Sequence, residues 1–156
     1  MKHHNFPALL LTSLLSLLSF GFTDNPADVT GSWRMIAHRI APAKDGVEDI
    51  YTHFKDLYGG CRQDMGVTLN ADGSMKMSPA GACQNPLGNL IMKAASKFMP
   101  SGKASWEATG GKIVLLDGKG KRQEYDLYLS GTGMQWGFDE TDKKTTVRHT
   151  VEFKRD

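Results

Sequence analysis

Two cysteines are the residues of this chain whose chemistry is easiest to predict. Cys61 and Cys83 each lie eleven residues from Asp72, in the stretch CRQDMGVTLNADGSMKMSPAGAC. Its centre, Asn70–Gly73, is a turn signal between two runs of alternating apolar residues. In a hairpin without bulges the cysteines face each other, because opposed Cβ atoms are about 4.5–5.5 Å apart. We therefore predict a structural disulfide.

The alternative for this pair is a redox or metal-binding role. The sequence has no CxxC motif, and His38, His53 and His149 stand at no ligand spacing from the cysteines. A disulfide closing a loop of this length would stabilise the fold by about 3 kcal/mol. The sequence thus predicts neither a metal site nor a cofactor.

Catalytic chemistry has few candidates here. The sequence contains no Gly-x-Ser-x-Gly elbow, no His-Glu-x-x-His, no phosphate-binding glycine loop and no dinucleotide fingerprint. His149 is the one histidine predicted on an apolar strand face. A histidine there is more often a hydrogen-bonded core residue than a catalytic group. Asp64 is either an acid near Cys61 or a strand-end hydrogen-bonding residue. We expect a protein that is not an enzyme.

Methionine is frequent in the apolar positions. Six of the methionines form an apolar set: Met65, Met75, Met77, Met92, Met99 and Met134. Such adaptable side chains fill irregular gaps in a core, and they also suit a pocket for flexible ligands. Both interpretations stay open.

The first 23 residues have the features of an export signal. A weakly basic start at Lys2–His4 precedes the apolar run Ala8–Phe20, and Ser19-Phe20-Gly21 offers small residues for cleavage. The run is shorter than the about 20 residues that a transmembrane helix needs. We expect residues 1–23 to be removed and residues 24–156 to form one soluble domain, periplasmic or secreted, without stable membrane insertion. An uncleaved anchor is the alternative.

Charge indicates no polyanionic partner. The chain has 19 Lys and Arg against 17 Asp and Glu, a net charge of +2, and the two signs are interspersed. The basic runs Lys119–Arg122 and Lys143-Lys144 fall at predicted turns, where charge is normally solvated. Nothing in the sequence favours nucleic-acid binding.

The elements that must position these residues are mostly short strands. Alternation and turn signals at roughly 8–12-residue spacing predict eight strands, at Gly31–Ile40, Met65–Leu69, Met75–Met77, Ala104–Ala108, Ile113–Leu116, Tyr125–Leu129, Met134–Phe138 and Val147–Phe153. Helical spacing appears twice, in Asp45–Gly60 with Asp45 as a possible N-cap, and in Leu87–Phe98. The second helix would cover the sheet as a plug or a lid.

Eight antiparallel strands in one small domain can close on themselves, which removes exposed edges. We predict an all-β fold, an eight-stranded antiparallel up-and-down barrel with one or two short helices. In such a barrel the last strand returns beside the first. Arg155 would then lie over Trp33, on the same face as Phe153; fraying of the last residues is the alternative.

The chain resembles the lipocalin-like, calycin-type domains of exported bacterial proteins. The resemblance rests on an ordered set of short motifs: Val29–Trp33 with the Gly31-x-Trp33 signature, Cys61–Asp64, Leu69–Ser74, Cys83, Trp106 and the closing meander. It implies a barrel that binds small apolar molecules without catalysis, and a cation, Arg155 or Lys154, on the signature tryptophan. The helical segment between Cys83 and Trp106 departs from the family pattern.

These observations predict a non-enzymatic protein that binds a small hydrophobic or amphipathic ligand in or at the mouth of the barrel. An interior of this size is filled by side chains or holds one small ligand. The predicted lining residues are Trp33, Met35, Tyr51, Phe54, Met75, Met77, Trp106, Tyr125, Trp136 and His149. The alternative is a fully packed barrel that acts as a protein-interaction or inhibitor module of the cell envelope.

Overall fold

The structure, a computed structural model, describes residues 26–55, 65–78, 98–100, 103–142 and 145–156. Its strands, numbered along the chain, are β1 (Gly31–Lys44), β2 (Val47–Asp49), β3 (Gly66–Leu69), β4 (Ser74–Ser78), β5 (Ala104–Thr109), β6 (Lys112–Asp117), β7 (Arg122–Ser130), β8 (Gly133–Asp142) and β9 (Thr145–Arg155). The described helices are α1 (Pro26–Val29) and α2 (Ile50–Lys55). The predicted all-β class is confirmed.

Eight of these strands form a closed antiparallel barrel. From β3 to β9 each strand pairs with the next along the chain, β1 pairs with β3, and β9 returns to pair with β1. The predicted up-and-down barrel is therefore confirmed. β2 is an additional short strand that the sequence did not predict, and it pairs with the far end of β1, where Lys44 is opposite Val47.

The predicted hairpin is present as β3 and β4. Leu69 is opposite Met75, and the turn between them has Gly73 at φ 79°. The amide of Gly73 donates to the carbonyl of Asn70 over 3.0 Å. Turns of this kind favour glycine because it adopts positive φ without strain. The register is the one that the disulfide prediction assumed.

A β-bulge in β1 reverses the face that its side chains present. Met35 is opposite Phe153 and Ala37 is opposite Glu152, so Ile36 is one extra residue in β1. An extra residue shifts a strand's alternation by one position. Trp33 and Met35 are buried before the bulge, and His38 and Ile40 are buried after it, while Ile36 is 47% exposed.

The helix predicted from Asp45 begins later than expected. Asp45 lies in a turn with φ 53°, and α2 starts after β2. The carboxylate of Asp49 accepts hydrogen bonds from the backbone amides of Tyr51, at 2.9 Å, and Thr52, at 3.2 Å. Asp49 is therefore the N-cap, because its side chain satisfies amides that a helix start leaves free.

One end of the barrel, its floor, is closed by α1 and the end of β9. The indole N–H of Trp33 donates to the carbonyl of Val29 over 2.8 Å. The guanidinium of Arg155 lies 4.3 Å from the centre of the Trp33 ring. Arg155 is opposite Trp33 in the β1–β9 pairing, as predicted for a closed barrel.

Several predictions concern residues outside the described ranges. These are the export signal in residues 1–23, the Cys61–Cys83 disulfide, Asp64, Lys143-Lys144, and the helix over Leu87–Phe98 apart from Phe98 itself. The side chain of Phe54 also lies outside the described part. Within the described ranges, no helix is both long and apolar enough to cross a bilayer.

Candidate functional site

Nine of the ten predicted lining residues have described side chains, and eight of these nine are on barrel strands while Tyr51 is on α2. Seven of them belong to the buried core: Trp33, Met35, Tyr51, Met75, Trp106, Tyr125 and Trp136. Met77 packs against this core and is partly exposed. His149 is buried, with 4% of its surface exposed.

The interior is densely filled at the floor. The largest side chains with less than 2% exposure are Trp33, Trp136, Phe153, Leu69, Ile113, Leu115, Met134, Val29 and Val67. Towards the opposite end, the mouth, the inward-facing apolar residues Met77 and Phe138 keep partial solvent exposure. The mouth is therefore the more solvent-accessible end of the described interior.

Two histidines meet inside the barrel near this mouth. Nε2 of His38 on β1 lies 3.0 Å from Nδ1 of His149 on β9. Both side chains are buried. The expectation that His149 is the one histidine on an apolar face was wrong, because the bulge at Ile36 turns His38 inward as well.

The position of Glu140 decides which histidine nitrogens carry protons. Nε2 of His149 lies 3.3 Å from Oε2 of Glu140 on β8. A carboxylate repels an unprotonated nitrogen lone pair, so this Nε2 carries the proton. Nδ1 of neutral His149 is then the acceptor, and Nε2 of His38 donates to it. Nε2 of His149 and the Glu140 carboxylate are close to each other, but they do not form an aligned hydrogen bond.

Aromatic rings enclose the histidine pair. Phe138 stacks on His149 with centroids 4.6 Å apart and planes 8° apart. Phe98 lies 5.2 Å from the His149 centroid and meets the edge of His38 at 6.4 Å. Phe98 thus lies over the pair, and the hydroxyl of Tyr125 donates to the carbonyl of Phe98. This contact ties residues 98–100 to β7.

Burial governs the titration of these groups. Burial lowers the pKa of His149, and the nearby carboxylates of Glu140 and Asp139 oppose that effect without reversing it. Burial also raises the pKa of Tyr125, so its hydroxyl stays protonated and remains a donor. Burial therefore favours the uncharged forms of His149 and Tyr125 beneath Phe98.

Besides Nε2 of His149, one further buried donor lacks an acceptor among the described residues. The indole nitrogen of Trp136 is fully buried and has no hydrogen-bond partner among the described residues. Its ring lies between Tyr125, with centroids 5.7 Å apart, and Phe153, with centroids 4.7 Å apart. A buried unpaired N–H costs about 1–3 kcal/mol. An acceptor reaching this nitrogen would recover that free energy.

Outside the barrel, the charged side chains neutralise one another. Arg148 lies across Gly137 and pairs with Asp126 and with Asp139. A depression of about 460 Å³ on this outer face is lined by both Arg148 and Arg39. Arg39 is already paired with a glutamate at 2.7 Å. We therefore assign no site to this face.

No group of three or more metal-ligating side chains occurs in the part of the chain that the structure describes. In the cluster of His38, His149 and Glu140, the two imidazole rings are hydrogen-bonded to each other. Their nitrogens therefore do not converge on a common point where a metal ion could bind. The geometry of the cluster suits proton transfer and hydrogen bonding.

Sequence reasoning missed two members of this cluster for different reasons. His38 was hidden by the bulge, for which the sequence offers no turn residue or glycine as a signal. Glu140 could have been found, because it continues the inward alternation of Met134, Trp136 and Phe138 along β8.

Comparison with known proteins adds no relative. The chain matches no protein-family model, no curated protein and no solved structure. Its function has to be argued from the barrel itself.

Proposed function

We propose that this chain is an exported, lipocalin-like binding protein, and not an enzyme, that holds a small hydrophobic or amphipathic ligand in or at the mouth of its barrel. Export to the periplasm or the medium follows from the signal-like residues 1–23. No protein partner, nucleic acid, cofactor or metal is part of the proposal.

The lipocalin-like assignment is supported by the floor of the barrel. The signature residues Gly31 and Trp33 open β1. Arg155 covers Trp33 and also donates hydrogen bonds to the carbonyls of Thr30, at 3.0 Å, and Asp28, at 2.6 Å. A cation on the signature tryptophan is the arrangement that the resemblance implies.

The observation that carries the binding proposal is that the N–H of Trp136 has no acceptor among the described residues. Ligand pockets are mostly apolar, with a few polar groups that fix orientation. Trp136 offers a donor in an apolar interior, and the partly exposed Met77 and Phe138 offer an apolar approach from the mouth. A ligand with an apolar body and a hydrogen-bond acceptor fits this lining.

A ligand whose hydrogen-bond acceptor is neutral fits this site better than one whose acceptor is anionic. Glu140 is an inward-facing residue at the mouth, and its carboxylate is 48% exposed there. A carboxylate ligand would pass this charge and be repelled, whereas a carbonyl group of a ketone, ester or amide would not. We therefore propose a carbonyl-bearing apolar ligand.

Two fluorescent probes test the proposal. Prodan is a neutral naphthalene ketone, and N-phenylnaphthylamine is an apolar naphthalene without a carbonyl. We expect both to bind. Trp136→Phe removes only the donor, and it should weaken Prodan about tenfold while leaving N-phenylnaphthylamine unchanged. Equal effects on the two probes would show that the Trp136 N–H does not donate a hydrogen bond to the ligand.

The packed floor favours a second candidate, a filled barrel that acts as an interaction module. Its exposed large hydrophobic residues in the described part are Ile36 and Tyr128, 47% and 61% exposed. They stand on β1 and β7, with β8 and β9 between them, so they form no continuous apolar patch. Failure of both probes to bind, with no small molecule co-purifying in native mass spectrometry, would favour this second candidate.

A further inference from the structure

The hydrogen bond between His38 and His149 holds only while the pair carries at most one extra proton. The neutral pair has one N–H···N bond over 3.0 Å. One added proton can be shared, because the two facing nitrogens then still have one hydrogen between them and one lone pair. A second added proton places N–H against N–H and puts two positive charges on rings whose centroids are 5.2 Å apart.

Separation of these rings would move the segment over the mouth. Phe98 contacts both imidazoles, at 5.2 Å and 6.4 Å between centroids, and Phe138 stacks on one of them. Phe98 therefore cannot keep both contacts once the rings move apart. The described contacts that would still join this segment to the barrel are the hydrogen bond from Tyr125, the packing of Phe98 on Phe138 and the burial of Met99 in the core.

Among the described residues, the charged and titratable groups near the pair, or on elements packed against its strands, come from four elements. β8 supplies Glu140 and Asp139, which favour protonation of His149. Asp49, at the end of β2, accepts the backbone amide of His38 over 3.2 Å. β7 supplies the neutral Tyr125. α2 supplies the buried Tyr51. The carboxylates favour protons on the pair, and burial opposes them.

We propose that the His38–His149 pair is a proton-operated latch that holds Phe98 over the barrel mouth at neutral pH and releases it in mild acid, which would free bound ligand. This inference rests on the proposed ligand-binding function for its biological meaning. The latch itself is a property of the barrel without ligand. Histidine is the side chain suited to such a switch, because its charge changes between about pH 5 and pH 8.

Two variants remove the second charge and keep the hydrogen bond. In His38→Gln the amide nitrogen takes the place of Nε2 as donor. In His149→Asn the amide oxygen takes the place of Nδ1 as acceptor. Either variant leaves one titrating ring, so the doubly charged state cannot form. His53→Gln is the matched control, since His53 is the exposed histidine of α2.

The experiment measures amide-exchange protection at Phe98 and Met99 by NMR, and the dissociation constant of Prodan, from about pH 8 to about pH 5. In the native chain we expect protection to fall about tenfold, and the dissociation constant to rise by a similar factor. Both quantities should be flat in His149→Asn and should change less than in the native chain in His38→Gln, where His149 still titrates, and His53→Gln should follow the native chain. Unchanged protection at the β7–β8 core amides separates opening from unfolding.

Failure of the latch and failure of the proposed function give different results. If Prodan binds equally well at every pH and protection does not change, the latch is overturned and the binding function stands. If Prodan never binds but protection falls in acid only where both histidines are present, the latch stands and the binding function fails. Persistence of the pH dependence in both pair variants would overturn the latch.

Discussion

The guanidinium of Arg155 lies 4.3 Å from the ring centre of Trp33, near the start of β1. Arg155 follows Phe153, the last buried residue of β9, by two positions. The same side chain hydrogen-bonds to the carbonyls of Asp28 and Thr30. It therefore joins three parts of the floor: the tryptophan, the helix α1 and the strand that closes the barrel.

Arg155→Ala should lower the free energy of unfolding through both kinds of contact. A cation–π contact contributes about 0.5–2 kcal/mol. In a Trp33→Phe background the loss should shrink by that amount but not vanish, because the hydrogen bonds to α1 do not depend on the indole. Urea unfolding of the four proteins measures the coupling. Strictly additive losses would show that the ring and the guanidinium do not interact.

The cap of α2 gives a second prediction. Asp49→Ala should destabilise the protein by about 1 kcal/mol, because the amides of Tyr51 and Thr52 lose their acceptor. Asp45→Asn is the control; it keeps a residue type that tolerates positive φ at a position outside the helix. Thermal unfolding compares them. A larger loss of stability in Asp45→Asn than in Asp49→Ala would mean that Asp45 is the N-cap, as the sequence predicted.

The sequence pattern predicted the barrel because its information is local. Alternation such as Met134, Trp136 and Phe138 identifies an inward face without knowledge of the partner strand. The number of strands predicted that the barrel closes. Closure in turn predicted the contact between Trp33 and Arg155. The start of α2 could not be placed as well, because Asp45 and Asp49 are equally good caps by residue type alone.

The candidate site was predicted less completely than the fold. Trp136 and His149 were identified because they continue a regular alternation. His38 was not identified, because the bulge at Ile36 arises from the pairing of β1 with β9. The local sequence of β1 does not determine that pairing. The unpaired state of the Trp136 nitrogen likewise depends on what surrounds it in three dimensions.

The cysteine prediction can be tested by mass alone. The register of β3 and β4 pairs Gly66 with Ser78 and Leu69 with Met75, and Cys61 and Cys83 lie outside the described residues. If the protein is exported as we propose, we expect it to take up no alkylating reagent until a reductant is added. Two alkylated thiols in unreduced protein, seen by intact-mass measurement, would exclude the disulfide.

His149 should make stability depend on pH. Its pKa in the unfolded chain is about 6.5, and burial lowers the pKa in the folded barrel. Between these two values the unfolded chain binds more protons, so acidification favours unfolding. The free energy of unfolding should fall as pH drops through about 6.5, and this contribution should level off below the folded pKa. Urea titrations of the native chain and His149→Asn would show the slope in the first and its reduction in the second; equal slopes would contradict the assignment.

The tie between Tyr125 and Phe98 gives the last prediction. The Tyr125 hydroxyl donates to the carbonyl of Phe98 and joins residues 98–100 to β7. Tyr125→Phe keeps the ring packed against Trp136 and Phe138 and removes only this hydrogen bond, worth about 1 kcal/mol. The mouth segment should therefore open about fivefold more often, with a smaller protection factor at Phe98 and Met99 at neutral pH.

Tyr128→Phe is the matched control for this change, because Tyr128 lies on the same strand, points outward and is 61% exposed. It should leave the protection of Phe98 and Met99 unaltered. Since the tyrosine tie does not titrate in this range, Tyr125→Phe should add to the acid opening attributed to the histidine pair rather than replace it. Equal protection in the two tyrosine variants would mean that the segment over the mouth is held by its aromatic contacts alone.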